Sequence, residues 1–191
     1  MKTLKNLFSY LYVFIIWIIL STMVWNWVFN LATDTSAANK VTVYIESGGV
    51  ESTGLAVALE KKLVPPLKMV KVHPFSYAMM GSSDLLNADI FIVKESNIEQ
   101  YKNSFAALES VSGGLSVVSG KFPGDIYFID GIASGIKVYD GAARSGAASD
   151  YVAYDPGEDC YLFFGNGSAH LEDGIALKAA LEISELNGGT K

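Results

Sequence analysis

The chain is poor in the residues that carry most recognisable chemistry. Cys160 is the single cysteine among 191 residues, so no intrachain disulfide forms, and it lies too far along the chain to anchor a lipid after a signal segment. Its neighbours Tyr161, Leu162, Phe163 and Phe164 mark it as a small apolar strand residue rather than a reactive thiol. The two histidines, His73 and His170, are distant in sequence and make no metal-ligand spacing. A phosphate loop with its lysine, a dinucleotide fingerprint, a nucleophile elbow and an EF-hand pattern are all missing. Acidic residues outnumber basic ones, 20 to 14. The net charge of −6 offers no basic patch, and nucleic acid is not an expected partner. No internal repeat is evident.

Charge is also absent from Lys5 to Asp34, and Leu7 to Leu31 is almost wholly apolar or aromatic. At about 1.5 Å per residue, a helix of that length crosses a hydrocarbon core that needs roughly 20 apolar residues. Lys2 and Lys5 precede the span and Asp34 is the first charge after it. The lysine bias predicts a cytoplasmic N-terminus and an extracytoplasmic remainder, with Trp25 and Trp27 near the outer interface. A cleaved signal peptide is the rival reading, with Ser36-Ala37-Ala38 as a small-residue cleavage site, but the apolar run exceeds the roughly 7–15 residues of a secretory core. A buried core helix would need a larger soluble domain to cover it. The expected organisation is a cytoplasmic N-terminus at 1–6, a transmembrane helix at 7–31, a linker at 32–40, one extracytoplasmic domain at 41–187 and a tail at 188–191.

Within that domain, Val41 to Glu46 alternates as a strand and meets the turn Ser47-Gly48-Gly49. Leu55, Leu59 and Leu63 then recur at helical spacing, with Ser52 or Thr53 as cap and Pro65-Pro66 as stop. A strand about Met69 to His73 follows, then a helical turn at Ser82 to Asn87. The run Ile90-Phe91-Ile92-Val93 predicts a strand buried on both faces. Asn97 and Gln100 form a capping pair for a helix whose face is Ile98, Tyr101, Phe105 and Leu108. Glu109 to Gly124, rich in serine and glycine, reads as a connection or weak edge strand. Asp125 to Asp130, Ile136 to Tyr139, Tyr151 to Tyr154 and Cys160 to Phe164 read as strands or hairpins. Asp173 caps a last helix bearing Ala176, Ala180, Ile183 and Leu186, ended by Asn187-Gly188-Gly189. Alternation of this kind argues for an α/β layered domain.

Three segments carry a family likeness. Val41-Thr42-Val43-Tyr44 with its small-residue loop and helix, Asn87-Ala88-Asp89 leading into Ile90 to Val93, and Cys160 to His170 followed by Asp173-Gly174 resemble parts of the extracytoplasmic solute-binding proteins of ABC importers. The likeness runs over most of residues 40 to 187. It implies a three-layer α/β domain corresponding to a single lobe of a type 2 periplasmic-binding-protein fold. It further implies a non-catalytic receptor or accessory component of an importer or surface sensor. Its partners would be the membrane, an ABC permease or other envelope protein, and a small solute such as a sugar, oligosaccharide or peptide. The family closes two lobes over its solute, whereas the residues after the anchor make one ordinary domain. A single lobe offers half the contacts and no closure, which moves the expectation toward binding another protein.

Open α/β sheets bind ligands at the carboxyl ends of their strands. The ligand-facing candidates are therefore Ser47, Gly48, Gly49, Ser52 and Thr53 after the first strand, Tyr77 in the loop from Ser76 to Ser83, and Asn166, Ser168 and His170 after the late strand. Free N–H groups at the Ser47 to Thr53 turn suit an anion or polar ligand, although a tight turn with a helix cap uses the same chemistry. Asp150, Asp155, Glu158 and Asp159 surround a Pro-Gly turn and read as a solvated acidic turn in preference to a calcium site. Tyr127, Tyr139, Tyr151, Tyr154 and Tyr161 serve either a stacking surface or cross-strand packing. Ser47, Ser168 and His170 suggest a hydrolase constellation without any elbow sequence to support it. No cofactor or metal is expected. The rival reading is a scaffold subunit that has lost solute binding, and an enzyme of unknown type is third.

Overall fold

A computed structural model describes residues 2–33, 36–63, 67–76, 83–122 and 125–186. The chain divides into two compact units, one ending at Ser36 and one beginning at Ala37. The first unit is a single helix, α1, Lys2–Thr33. Its stretch Leu11–Val28 is long and apolar enough to cross a membrane, and none of it is buried. Residues such as Trp17 and Trp25 lie 66% and 71% exposed, an apolar surface suited to lipid.

The second unit is a mixed α/β domain. Its strands are β1 (Lys40–Ile45), β2 (Gly49–Val50), β3 (Met69–Pro74), β4 (Ile90–Lys94), β5 (Ile126–Ile129), β6 (Ile132–Asp140), β7 (Ser145–Gly146), β8 (Val152–Ala153) and β9 (Cys160–Phe164). Seven of them form one sheet in the order β3-β1-β4-β9-β6-β5, with β7 paired to β6, while β2 and β8 make a separate antiparallel pair. β3, β1 and β4 run parallel; β9 is antiparallel to both β4 and β6. The helices are α2 (Ser52–Glu60), α3 (Ser83–Leu86), α4 (Ile98–Tyr101), α5 (Gly114–Lys121) and α6 (Ile175–Glu185).

The alternation in β1 and β4 divides the core in two. Val41, Val43, Ile45, Ile90 and Ile92 face one side, where α2, α5 and α6 contribute Leu55, Leu59, Val118, Ala176, Ala180 and Ile183. Tyr44, Phe91 and Val93 face the other, which is aromatic and covered by the short α3 and α4 with Leu85, Ile98 and Tyr101. On that face Phe75 meets Tyr101 at 4.8 Å and Phe105 stacks on Phe163 at 4.2 Å between ring centroids. Gly135 of β6 makes room for the Phe163 ring, since a Cβ there would lie 2.5 Å from it.

Three local expectations are corrected. Ser52 and Thr53 do not cap α2: they lie at its start, Glu51 is the N-cap without a side-chain cap bond, and Glu51 instead donates its N–H to Tyr151 at 2.8 Å. Pairing of Gly49 and Val50 with β8 has fixed the helix entrance that a cap would otherwise fix. The helix expected through Leu108 ends at Tyr101, and Asn97 gives its amide to Glu46 rather than to a cap. Phe105 and Ala106 are drawn onto the end of β9, where Ala106 donates to the Phe164 carbonyl at 2.8 Å. Leu108 therefore joins the opposite core from Ile98 and Tyr101. The serine and glycine stretch after Glu109 is helical in α5, entered through Gly113 at φ 71°. Burial of Val118 and close packing of Gly114 on Leu108 and Val111 outweigh weak intrinsic propensity there.

Candidate functional site

β1 and β4 point the same way and β9 runs back between the same two ends, so the predicted site residues separate. Ser47, Gly48 and Gly49 follow β1 at the carboxyl ends of the parallel strands, and Ser52 and Thr53 begin the helix there. Phe164 of β9 pairs with Ile90, the first residue of β4, which puts Asn166, Ser168 and His170 at the amino ends. The two groups are about 17 Å apart along a strand of this length. Placing all of them on one carboxyl edge is therefore incorrect, because β9 is antiparallel. Tyr77 lies outside the described residues.

At the amino end, four side chains form a network around two buried members. His170 is 1% exposed and Asp89 3%. Asp89 accepts the Thr42 N–H at 2.8 Å through Oδ2 and the Ser168 hydroxyl through Oδ1. Ser168 Oγ in turn accepts the His170 backbone N–H at 3.0 Å. The imidazole lies 2.8 Å from Asp173 Oδ2 through Nδ1, and 3.0 and 3.1 Å from the carbonyls of Ala37 and Lys40 through Nε2. All of these ring partners are acceptors, an arrangement that favours the doubly protonated imidazolium. Burial by itself would push its pKa down; the Asp173 hydrogen bond and the charges of Asp89 and Asp173 outweigh that and raise it. Burial pushes the Asp89 carboxyl up, partly offset by Ser168, Thr42 and His170. Asp173 Oδ1 also accepts the Ile175 N–H at 2.9 Å and so holds the start of α6.

Two glycines complete this end. A Cβ on Gly165 or Gly167 would fall 1.9 Å from the Ala88 carbonyl oxygen and 1.8 Å from that of Leu86, so the backbone passes where no side chain fits. The hydrolase constellation is not assembled. Ser47 lies at the other end, and the Ser168 hydroxyl is engaged by Asp89 while the His170 ring faces carbonyls.

The carboxyl end is built from half-buried charge. Glu46 accepts the Lys94 backbone N–H at 3.2 Å and the Asn97 amide at 2.7 Å. The Lys94 ammonium pairs with Asp155, Ser96 bonds to Glu158, and Lys137 meets Asp159 at 2.6 Å. The Asp155 hydrogen bond raises the Lys94 pKa, so it stays an ammonium. The Ser47 turn is not an open anion cradle. Gly48 donates its N–H to Ala153 at 3.1 Å, Ser47 Oγ donates to the Gly49 carbonyl at 3.0 Å, and the Asp155 carboxylate stands beside Gly48. Among the described residues no group of histidine, cysteine and carboxylate side chains converges on a metal position. The acidic turn is spread over separate partners: Asp155 pairs with Lys94 and Glu158 with Ser96, while Asp159 also accepts the Gly141 N–H at 2.8 Å.

The remaining candidates take packing roles. Cys160 is buried in β9 and its thiol is pushed up to about 12 by burial, which keeps it unreactive. His73 stacks on Tyr44 at 5.3 Å. Tyr139 stacks on Tyr154 at 4.3 Å, and Tyr127 tilts against Tyr161 at 4.7 Å, leaving both of the latter half-buried. Lys94 and Asn97, absent from the ligand-facing candidates, lie with Glu46 and Asp155 at the carboxyl end. The legible signal was the position of Lys94 directly after the buried run of β4, where a parallel strand delivers its ligand-facing residues. No family model, curated protein or solved structure matches the chain.

Proposed function

We propose that this protein is a membrane-anchored, non-catalytic binding component with its domain outside the cytoplasm, acting as an accessory or receptor subunit of an ABC importer or a surface sensor. The observation that carries the reading is the pairing of an apolar helix, α1, with a domain whose parallel strands β3, β1 and β4 end in a half-buried polar cluster of Glu46, Lys94, Asn97 and Asp155. Parallel strands flanked by an antiparallel β9 are compatible with one lobe of a solute-binding protein. The lysines at positions 2 and 5 favour a cytoplasmic N-terminus. Retention of the helix is supported by His170, which holds the Ala37 carbonyl at 3.0 Å; cleavage after Ala38 would remove that partner.

A second reading, an interaction subunit without solute binding, is favoured by the state of the Ser47 turn. Its Gly48 N–H is bound to β8 and its neighbour is the Asp155 carboxylate, which suits a protein surface better than a small anionic solute. Native mass spectrometry of the full chain, solubilised from membranes in mild detergent, separates the two. A retained sugar, oligosaccharide or peptide supports the receptor reading, and a retained protein without small molecule supports the interaction subunit. Turnover lost on substituting Ser47 or His170 would overturn both.

A further inference from the structure

The two outer strands of the sheet are protected unequally. β3 carries the guards common at a strand edge. Lys68 borders it, Lys71 lies within it, Pro74 ends it, and the Glu60 carboxylate accepts the Val70 N–H at 2.9 Å. β5 is guarded differently, by the charges of Asp125 and Asp130 at its ends and a register shift against β6 between Tyr127 and Phe128. Its residues Ile126, Tyr127, Phe128 and Ile129 include no charge and no proline, and among the described residues no strand or side chain covers its outward row of backbone groups. Exposed apolar surface collects at the same hairpin, where Phe128 is 59% and Ile132 52% exposed. The Asp130-Gly131 turn, with φ of 50° and 81°, fixes the hairpin that presents them. An open row of backbone donors and acceptors beside apolar side chains is complementary to an extended strand.

The flanking charges select the occupant. Asp125 and Asp130 bracket β5 and both are exposed. Lys102 approaches Asp130 at 3.5 Å yet leaves its side chain 72% exposed. Antiparallel pairing of β5 with a second copy, centred between Tyr127 and Phe128, would set Asp125 opposite the other copy's Asp130 at both ends, where like charges repel. A strand with a basic residue at each end meets opposite charge instead. We propose that β5 is a docking edge for an extended apolar segment, flanked by lysine or arginine, of a partner protein. β5 lies beside β6, which carries Lys137 of the carboxyl-end surface, but its docking role does not rest on the receptor reading.

The test uses the full chain in lipid nanodiscs with a synthetic Lys-Val-Tyr-Ile-Val-Lys peptide and its counterpart carrying glutamate at both ends. Amide exchange should slow at 126–129 with the lysine peptide and not at β3, and the glutamate peptide should bind about tenfold more weakly. The double substitution Asp125→Lys, Asp130→Lys, at exposed positions, should reverse that preference. Equal affinity for both peptides, or no protection at β5 with either, overturns the proposal. Dimerisation of the chain through β5 overturns it as well, because the occupant is then a second copy.

Discussion

The two ends of the parallel strands are both polar, yet they are polar in opposite ways. At the amino end, Asp89, Ser168 and His170 share hydrogen bonds with one another, with Asp173 and with backbone groups, and Asp89 and His170 are almost fully buried. At the carboxyl end, Lys94, Asp155, Glu158 and Lys137 form separate pairs in contact with water. A buried ion network is strongly destabilised by losing one member, whereas a partly exposed pair contributes less and can be exchanged for a ligand. The amino end is thus architecture, and the carboxyl end is where the proposed binding surface lies.

The glycines give the sharpest contrast. Gly167→Ala places a methyl 1.8 Å from the Leu86 carbonyl oxygen, and the expected loss is about 3 kcal/mol or more, read by urea unfolding. His170→Ala comes next. It strands the Ala37 and Lys40 carbonyls and removes the cation between Asp89 and Asp173, for an expected loss of about 3 kcal/mol in the same assay.

A third test separates the ends by pH. The folded His170 pKa is raised, so the stability it contributes is complete below its unfolded value of about 6.5 and declines as pH rises through the folded value. Unfolding free energy of the wild type should therefore fall on moving from neutral to alkaline pH, and His170→Gln should flatten that slope. At the carboxyl end the expected effects are smaller. Lys94→Ala, at a side chain 20% exposed, should cost about 1–2 kcal/mol. Gly49→Ala, whose Cβ would sit 3.8 Å from Ala153, should be nearly neutral. On the proposed function, both should nevertheless weaken the capture read by native mass spectrometry.

Much of the sheet was legible because its signals are local. The four apolar residues Ile90 to Val93 announce a strand buried on both faces, and the alternation of Val41, Val43 and Ile45 fixes which side of β1 joins which core. Asp173 reads as the cap of the last helix, but Gly174 at φ 74° is the N-cap, and Asp173 accepts the Ile175 N–H from one residue before it. What failed to show depends on distant partners. Nothing in Gly114 to Lys121 favours a helix until Leu108 and Val111 pack against Gly114. Phe105 leaves the helical pattern only because β9, some sixty residues later in sequence, offers Gly165 and the Phe164 carbonyl. His170 bonds to carbonyls 133 and 130 residues away, and backbone acceptors leave no mark in a sequence. The antiparallel sense of β9 was equally hidden, and with it the end of the sheet to which Asn166, Ser168 and His170 belong.

Amide hydrogen exchange of the full chain in lipid nanodiscs, wild type against His170→Ala, tests the division of the sheet most directly. Faster exchange confined to 37–42, 88–90 and 165–170, with 46–51 and 94–97 unchanged, is the result expected of an architectural amino end and an independent binding surface. Equal loosening at both ends, or no change at the amino end, would contradict it.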